Sequence, residues 1–130
     1  MAHEAVFRVY YEDTDMAGVV YYANYLKFIE RARSDALREA GVDQRAMREA
    51  GLVFVVTRLE ADYVAPARYD DVITVRTETA EVKGASAALS QVVSREGAVL
   101  FRSLVRFACM TVEGRPVRMP AATRDALASI

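Results

Sequence analysis

Residues Val9 to Arg33 read VYYEDTDMAGVVYYANYLKFIERAR, and within this stretch the chain changes its period. Val6 to Tyr11, VFRVYY, is β-branched and aromatic and predicts a strand that delivers the acidic EDTD turn. From about Tyr22, the apolar positions Tyr25, Phe28, Ile29, Ala32, Ala36 and Ala40 recur at helical spacing. Lys27, Glu30, Arg31, Ser34, Arg38 and Glu39 fall on the other side. The spacing predicts one helix of about five turns, closed by Gly41 as its C-terminal cap. Its buried stripe is mostly small, so another element can pack close to its axis. A short second helix follows, with Asp43 as N-cap and Gly51 at its end.

Beyond Gly51 the period falls to two. Leu59, Ala61, Tyr63 and Ala65 alternate with Arg58, Glu60, Asp62 and Val64, and Ile73, Val75 and Thr77 alternate with Thr74, Arg76 and Glu78. Two further strands, Ala85 to Arg95 and Ala98 to Val112, meet at the tight turn Glu96-Gly97. The layout is strand, long helix, then four long strands. That order predicts an α+β fold in which an antiparallel sheet of about five strands packs on one main helix.

The bulk properties place the chain among soluble globular proteins. Its 130 residues suffice for one domain, 1–130, with a real core, and 53% hydrophobic with 27% charged residues is an ordinary balance. Seventeen basic against eighteen acidic side chains leave a net charge of −1, which gives no footprint for nucleic acid or an anionic membrane. No run approaches the length of a bilayer span; LVFVV, Leu52 to Val56, is the longest near the middle. Cys109 is the sole cysteine, so no internal disulfide and no thiolate zinc cage can form. With an N-terminus that lacks the apolar core of a signal peptide, a cytoplasmic location is expected.

Three chemical readings of the acidic turn compete. DTDMAG has the acids and the glycine of a calcium loop, but Ala17 and Asn24 stand where that loop needs an oxygen ligand and a bidentate glutamate. Calcium is rejected on that ground. Glu12, Asp13 and Asp15 would serve as plain turn formers, since short acidic side chains bond nearby amides. However, Val19, Val20, Tyr21 and Tyr22 follow at once, so at least one carboxylate is expected against apolar and aromatic surface, where desolvation makes it reactive. The helix then begins with unpaired N–H groups at its positive end. A carboxylate followed by a helix N-terminus suits acyl chemistry, one group attacking or activating water and the other stabilising an oxyanion.

At this level the residues become recognisable. VYYEDTDMAGVVYYANYLKFIERAR resembles the signature of the hotdog-fold acyl-CoA thioesterases, in the 4-hydroxybenzoyl-CoA thioesterase-like group and, within it, the bacterial enzymes encoded with the Tol-Pal system. YVAPARYDDVITV, Tyr63 to Val75, is similar to the family's middle strands. The resemblance implies a long helix wrapped in an antiparallel sheet, the same architecture that the periodicity predicts. It implies hydrolysis of short-chain or aromatic acyl-CoA, with Asp15 as nucleophile or general base and Asp13 shaping the turn. The backbone N–H of Tyr22 would be the oxyanion donor, and Gly18 would permit the turn that brings substrate close. Many Tol-Pal-associated members read VYHANY where this chain reads VYYANY, so Tyr22 replaces a histidine; the 4-hydroxybenzoyl branch also has tyrosine there.

The resemblance further places Lys83, in EVKGAS, where relatives carry bases that meet coenzyme A phosphates, with Arg58 and Arg68 as weaker candidates. Val55 to Thr57 are candidates for lining the acyl or pantetheine channel, although a plain strand explains them equally well. No cofactor is implied beyond the coenzyme A of the substrate. A homotetramer of hotdog dimers is expected, with acyl carrier protein as a further candidate partner. The rival reading is a non-catalytic hotdog module that binds acyl-CoA or acyl carrier protein. His3 is the only histidine and lies at an end expected to fray, which argues against a histidine-dependent dehydratase or a serine or cysteine hydrolase. The tyrosines at 10, 11, 21, 22, 25, 63 and 69 lack a basic stripe and are read as packing residues, and Cys109 as a small core residue.

Overall fold

A computed structural model describes residues 2–130. Strand β1, His3–Arg8, leads through a single 3-10 turn, Tyr11–Asp13, to helix α1, Asn24–Glu39, and the short α2, Gln44–Glu49. Strands β2 (Leu52–Tyr63), β3 (Val72–Val82), β4 (Ser86–Arg95) and β5 (Ala98–Thr111) follow, and α3, Ala121–Ala128, ends the chain. The five strands form one antiparallel sheet in the order β1-β3-β4-β5-β2.

Helix α1 lies in the curve of this sheet and buries Tyr25, Phe28, Ile29, Ala32, Ala36 and Leu37. Its end follows from Gly41. With φ at +97° this glycine lets its own N–H reach the Arg38 carbonyl and the Val42 N–H reach the Leu37 carbonyl, 3.1 and 2.9 Å, so the last carbonyls are satisfied. Asp43 caps α2 as expected, its side chain accepting from the Ala46 amide at 3.0 Å. The β4–β5 turn carries positive φ at both Glu96 and Gly97, the two-residue geometry that matches strand twist.

Three expectations shift. The first strand ends at Arg8, not Tyr11, because its ladder with β3 stops at the Arg8–Val72 pair and Tyr10 then enters the turn, its N–H donating to Asp13 Oδ2. The helix starts at Asn24, so Tyr22 precedes the cap residue Ala23. His3 does not fray: it pairs with Thr77 in β1, its side chain is largely covered, and its Nε2 meets Glu39 of α1. Cys109 is buried on β5 as read, and burial pushes its thiol pKa up.

Of the two edge strands, β1 and β2, it is β2 that leaves an apolar row uncovered. The inner row of β2 continues the row of β5 through the pairs Val56–Phe107, Leu59–Val105 and Tyr63–Phe101, yet Val56, Leu59 and Tyr63 stay 38–50% exposed. No helix among the described residues is long and apolar enough to cross a membrane.

Candidate active site

The turn after β1 is held from both sides. Asp13 Oδ2 accepts from the Tyr10 amide at 2.8 Å, and its carbonyl accepts from the Tyr21 N–H and the Asn24 side-chain amide, each at 3.0 Å. One residue thus ties the strand end, the turn and the first turn of α1 together. The Val20 N–H donates to the Ala67 carbonyl at 2.8 Å, which anchors the far side of the turn to the β2–β3 loop.

Asp15 sits at the tip of this structure. Its N–H donates to the Val19 carbonyl and its carbonyl accepts from the Gly18 N–H, each at 3.0 Å, closing a tight turn. Gly18 has φ +76° and open space where a Cβ would stand, so it is the backbone angle that selects glycine. Asp15 Oδ1 accepts from the Ala17 N–H at 2.9 Å, and Oδ2 accepts from no described residue. The carboxylate is exposed at the mouth of an apolar groove of about 390 Å³ whose walls include Tyr22, Tyr25, Tyr63, Val64 and Pro66. The sequence leads one to expect a partly desolvated carboxylate; within one chain the half-buried one is Asp13, while Asp15 faces the groove and solvent.

Tyr22 lines the same groove. Its N–H finds no acceptor among the described residues, and its carbonyl accepts a 2.8 Å hydrogen bond from Tyr63 Oη. Tyr25 stacks on Phe101 with ring centroids 4.9 Å apart and accepts from the Ala67 N–H at 3.0 Å. Burial raises the phenol pKa of both Tyr25 and Tyr63, so each stays a neutral hydroxyl near neutral pH. Four of the tyrosines, 21, 22, 25 and 63, therefore gather at one groove. Reading them only as packing misses Tyr63, which comes from a strand 41 residues further along.

The other candidates stand elsewhere. Val55 pairs with Ala108 and faces the outside of the sheet, and Thr57 sits at the β2 bulge; neither lines the Asp15 groove. Lys83 is on the β3–β4 turn with Nζ 3.6 Å from Glu81, and the neighbouring Gly84 is covered by Arg118, whose Nη1 lies 2.7 Å from where a Cβ would be. Arg58 is paired with Glu60. The Arg68 backbone bridges Val19 beside the turn. No group of three or more His, Cys, Asp or Glu among the described residues could hold a metal ion.

Residues 9–127 match the model of the thioesterase-like superfamily. The chain belongs to this superfamily. It is 43% identical over 121 residues to the acyl-CoA thioesterase YbgC of Haemophilus influenzae, covering 92% of this chain and 89% of that protein. To the Escherichia coli acyl-CoA thioester hydrolase YbgC it is 41% identical, over 79% of this chain and 78% of that one. A probable thioesterase from Bartonella henselae superposes with a TM-score of 0.87 at 35% identity, over 92% of this chain and all of the other. The helix-in-sheet architecture is the hotdog fold of these thioesterases, as the sequence signature implied.

Proposed function

We propose that this superfamily member is an acyl-CoA thioesterase, its whole chain acting as one hotdog domain, with Asp15 and the Tyr22 amide as the reacting pair. One observation carries the reading: among the described residues, an Asp15 oxygen that accepts no hydrogen bond and a Tyr22 N–H with no acceptor border the same aromatic groove. The names of the YbgC relatives support the same reaction.

In this mechanism the thioester lies along the groove with its carbonyl oxygen on the Tyr22 N–H, and the helix dipole adds to that donor. Asp15 either adds to the carbonyl carbon, giving an anhydride that water opens, or takes a proton from a water that adds in its place. In both routes the C–S bond breaks, the coenzyme A thiolate leaves and is protonated, and a free carboxylic acid remains. Aromatic walls from Tyr22, Tyr25 and Tyr63 favour a short or aromatic acyl group. Lys83, on the β3–β4 turn, and Arg118, whose guanidinium covers the neighbouring Gly84, are the cations for the coenzyme A phosphates.

The open β2 edge, with Val56, Leu59 and Tyr63 uncovered on its inner side, favours pairing with a second copy that would screen the groove from water. Hydrolysis of a panel of acyl-CoAs, short aliphatic through long-chain plus hydroxybenzoyl, followed by free thiol with wild type beside Asp15→Asn, tests the proposal. Turnover abolished by the substitution is expected; equal, negligible rates in both would leave a binding module.

A further inference from the structure

A polar row crosses the middle of the core. Thr77, Gln91 and Ser103 are the buried polar side chains among the described residues, and they are direct cross-strand neighbours: Thr77 pairs with Gln91, and Gln91 with Ser103. His3, paired with Thr77, continues the row onto β1. Along β4 the row divides two apolar bodies, Ala87 and Leu89 belonging to one and Val93 to the other. Helix α1 spans both, with Tyr25, Phe28, Ile29 and Ala32 in the body of Val93 and Ala36 and Leu37 in that of Ala87 and Leu89.

Gln91 is where sheet and helix are joined. Its Nε2 donates to the carbonyl of Ile29 at 2.8 Å and to Thr77 Oγ1 at 2.9 Å, and its Oε1 accepts from Arg33 Nη1 at 2.9 Å. Arg33 lies one helical turn beyond Ile29, so the clasp closes around a single turn of α1. Ser103 Oγ donates to the Gln91 carbonyl at 2.8 Å, holding the strand from the other side. Burial lowers the Arg33 pKa, and no carboxylate lies within ion-pair distance of it among the described residues.

Burying such a network costs desolvation that an apolar residue would avoid, and its net contribution to stability is small. What it supplies is position. Between the large buried anchors Tyr25, Phe28 and Ile29 on one side and Leu37 on the other, the stripe facing the sheet is Ala32 and Ala36, so beside the clasp the Gln91 hydrogen bonds add to those anchors in resisting a slide of α1 along its axis. Tyr22, seven residues and about 10 Å before Ile29, would move with such a slide. Asp15's turn is pinned through Val20 to Ala67 and meets the start of α1 through the Asp13 carbonyl, which accepts from the Tyr21 N–H and the Asn24 side chain, so a slide would strain these ties and change the placing of the Tyr22 amide against Asp15.

We propose that Gln91, seated on Thr77 and closed by Arg33, is a positioning residue for thioester hydrolysis: it indexes α1 along the sheet and so fixes the Tyr22 amide relative to Asp15. The inference rests on the proposed thioesterase reaction. Gln91→Leu, close in volume, is expected to lower kcat about ten- to a hundred-fold, the scale of an ångström's misplacement. KM is expected to stay within about twofold, because Gln91 does not touch substrate; the melting temperature falls as well, because Arg33 and Thr77 are left without their partner, so it is the split between kcat and KM that reads position.

Thr77→Val and Arg33→Met each remove one tie and leave Gln91 in place. A lowered kcat at unchanged KM in either supports the index and carries the test should Gln91→Leu fail to fold. Wild-type kcat in a folded Gln91→Leu, or in both single-tie variants, overturns it while leaving the thioesterase reading intact. A wild type that hydrolyses none of the panel overturns that reading and this inference with it.

Discussion

Tyr63 Oη donates a 2.8 Å hydrogen bond to the carbonyl of Tyr22, so the last residue of β2 fixes the backbone that leads into α1. The two rings also meet edge to face, with centroids 6.3 Å apart. Tyr63→Phe keeps the ring contacts and removes the hydroxyl alone. Steady-state kinetics of the variant are expected to show kcat lowered about three- to tenfold, the rate equivalent of one ordinary hydrogen bond, with little change in melting temperature because Tyr63 is half exposed.

The two aspartates of the turn are expected to separate cleanly by readout. Asp15→Asn removes the carboxylate from the groove mouth and is expected to cut turnover by at least about a hundred-fold, at near wild-type stability, since the residue is exposed. Asp13→Ala strips the acceptor from the Tyr10 amide. It should cost about 1 kcal/mol in a denaturant titration and affect rate only through the turn. Reversed outcomes, with Asp13 essential to turnover and Asp15 to stability, would exchange the two roles.

Gly18→Ala tests backbone angle free of sterics. No atom lies within 4 Å of the missing Cβ, yet φ is +76°, so the substitution is expected to cost about 1–2 kcal/mol through left-handed strain. Turnover should fall further than stability does, because strain relaxes by opening the Asp15 turn. A chemical-denaturation midpoint equal to wild type would show that this turn tolerates a side chain.

The helix in its sheet was legible because both periods are long and uninterrupted: the Tyr25 to Ala36 stripe and the alternation through Ile73 to Thr77 each fix a buried face. Helix α3 was not, since AATRDALA is short and buries one side chain, Leu127. Asp15, Gly18 and Tyr22 do meet at one turn because they are neighbours in sequence. Tyr63 and Gln91 act through partners 41 and 62 residues away, Tyr22 and Ile29, and the pairings that bring them there are set by strand register, which no local pattern records.

Asp71 gives the acid limb of stability. Burial alone would raise its carboxyl, but the Arg68 amide at 2.8 Å and Arg95 Nη1 at 2.6 Å outweigh burial and hold the pKa below its ordinary value. A depressed folded pKa stabilises above the unfolded value and is lost as pH falls through the folded one, which places the loss below about pH 4. Melting temperatures of Asp71→Asn should therefore lie below wild type at pH 7 and converge with it as pH drops through that window. Parallel curves down to pH 3 would remove Asp71 from the acid transition.

The open edge of β2 yields the last prediction. Leu59 faces inward beside the buried Val105 yet remains 38% exposed, and Val56 and Tyr63 flank it in the same uncovered state. A twelve-residue edge strand with an apolar inner row invites another strand unless something covers it. Leu59→Lys places a charge in the middle of that row without disturbing the paired side of the strand. Sedimentation should show wild type as an oligomer and the variant shifted to monomer. Turnover should fall with it, because Tyr63 belongs both to this edge and to the groove that holds Asp15. A monomeric wild type with full activity would mean that one chain's groove is sufficient and that the edge is kept from pairing by its outer charges, Arg58, Glu60 and Asp62.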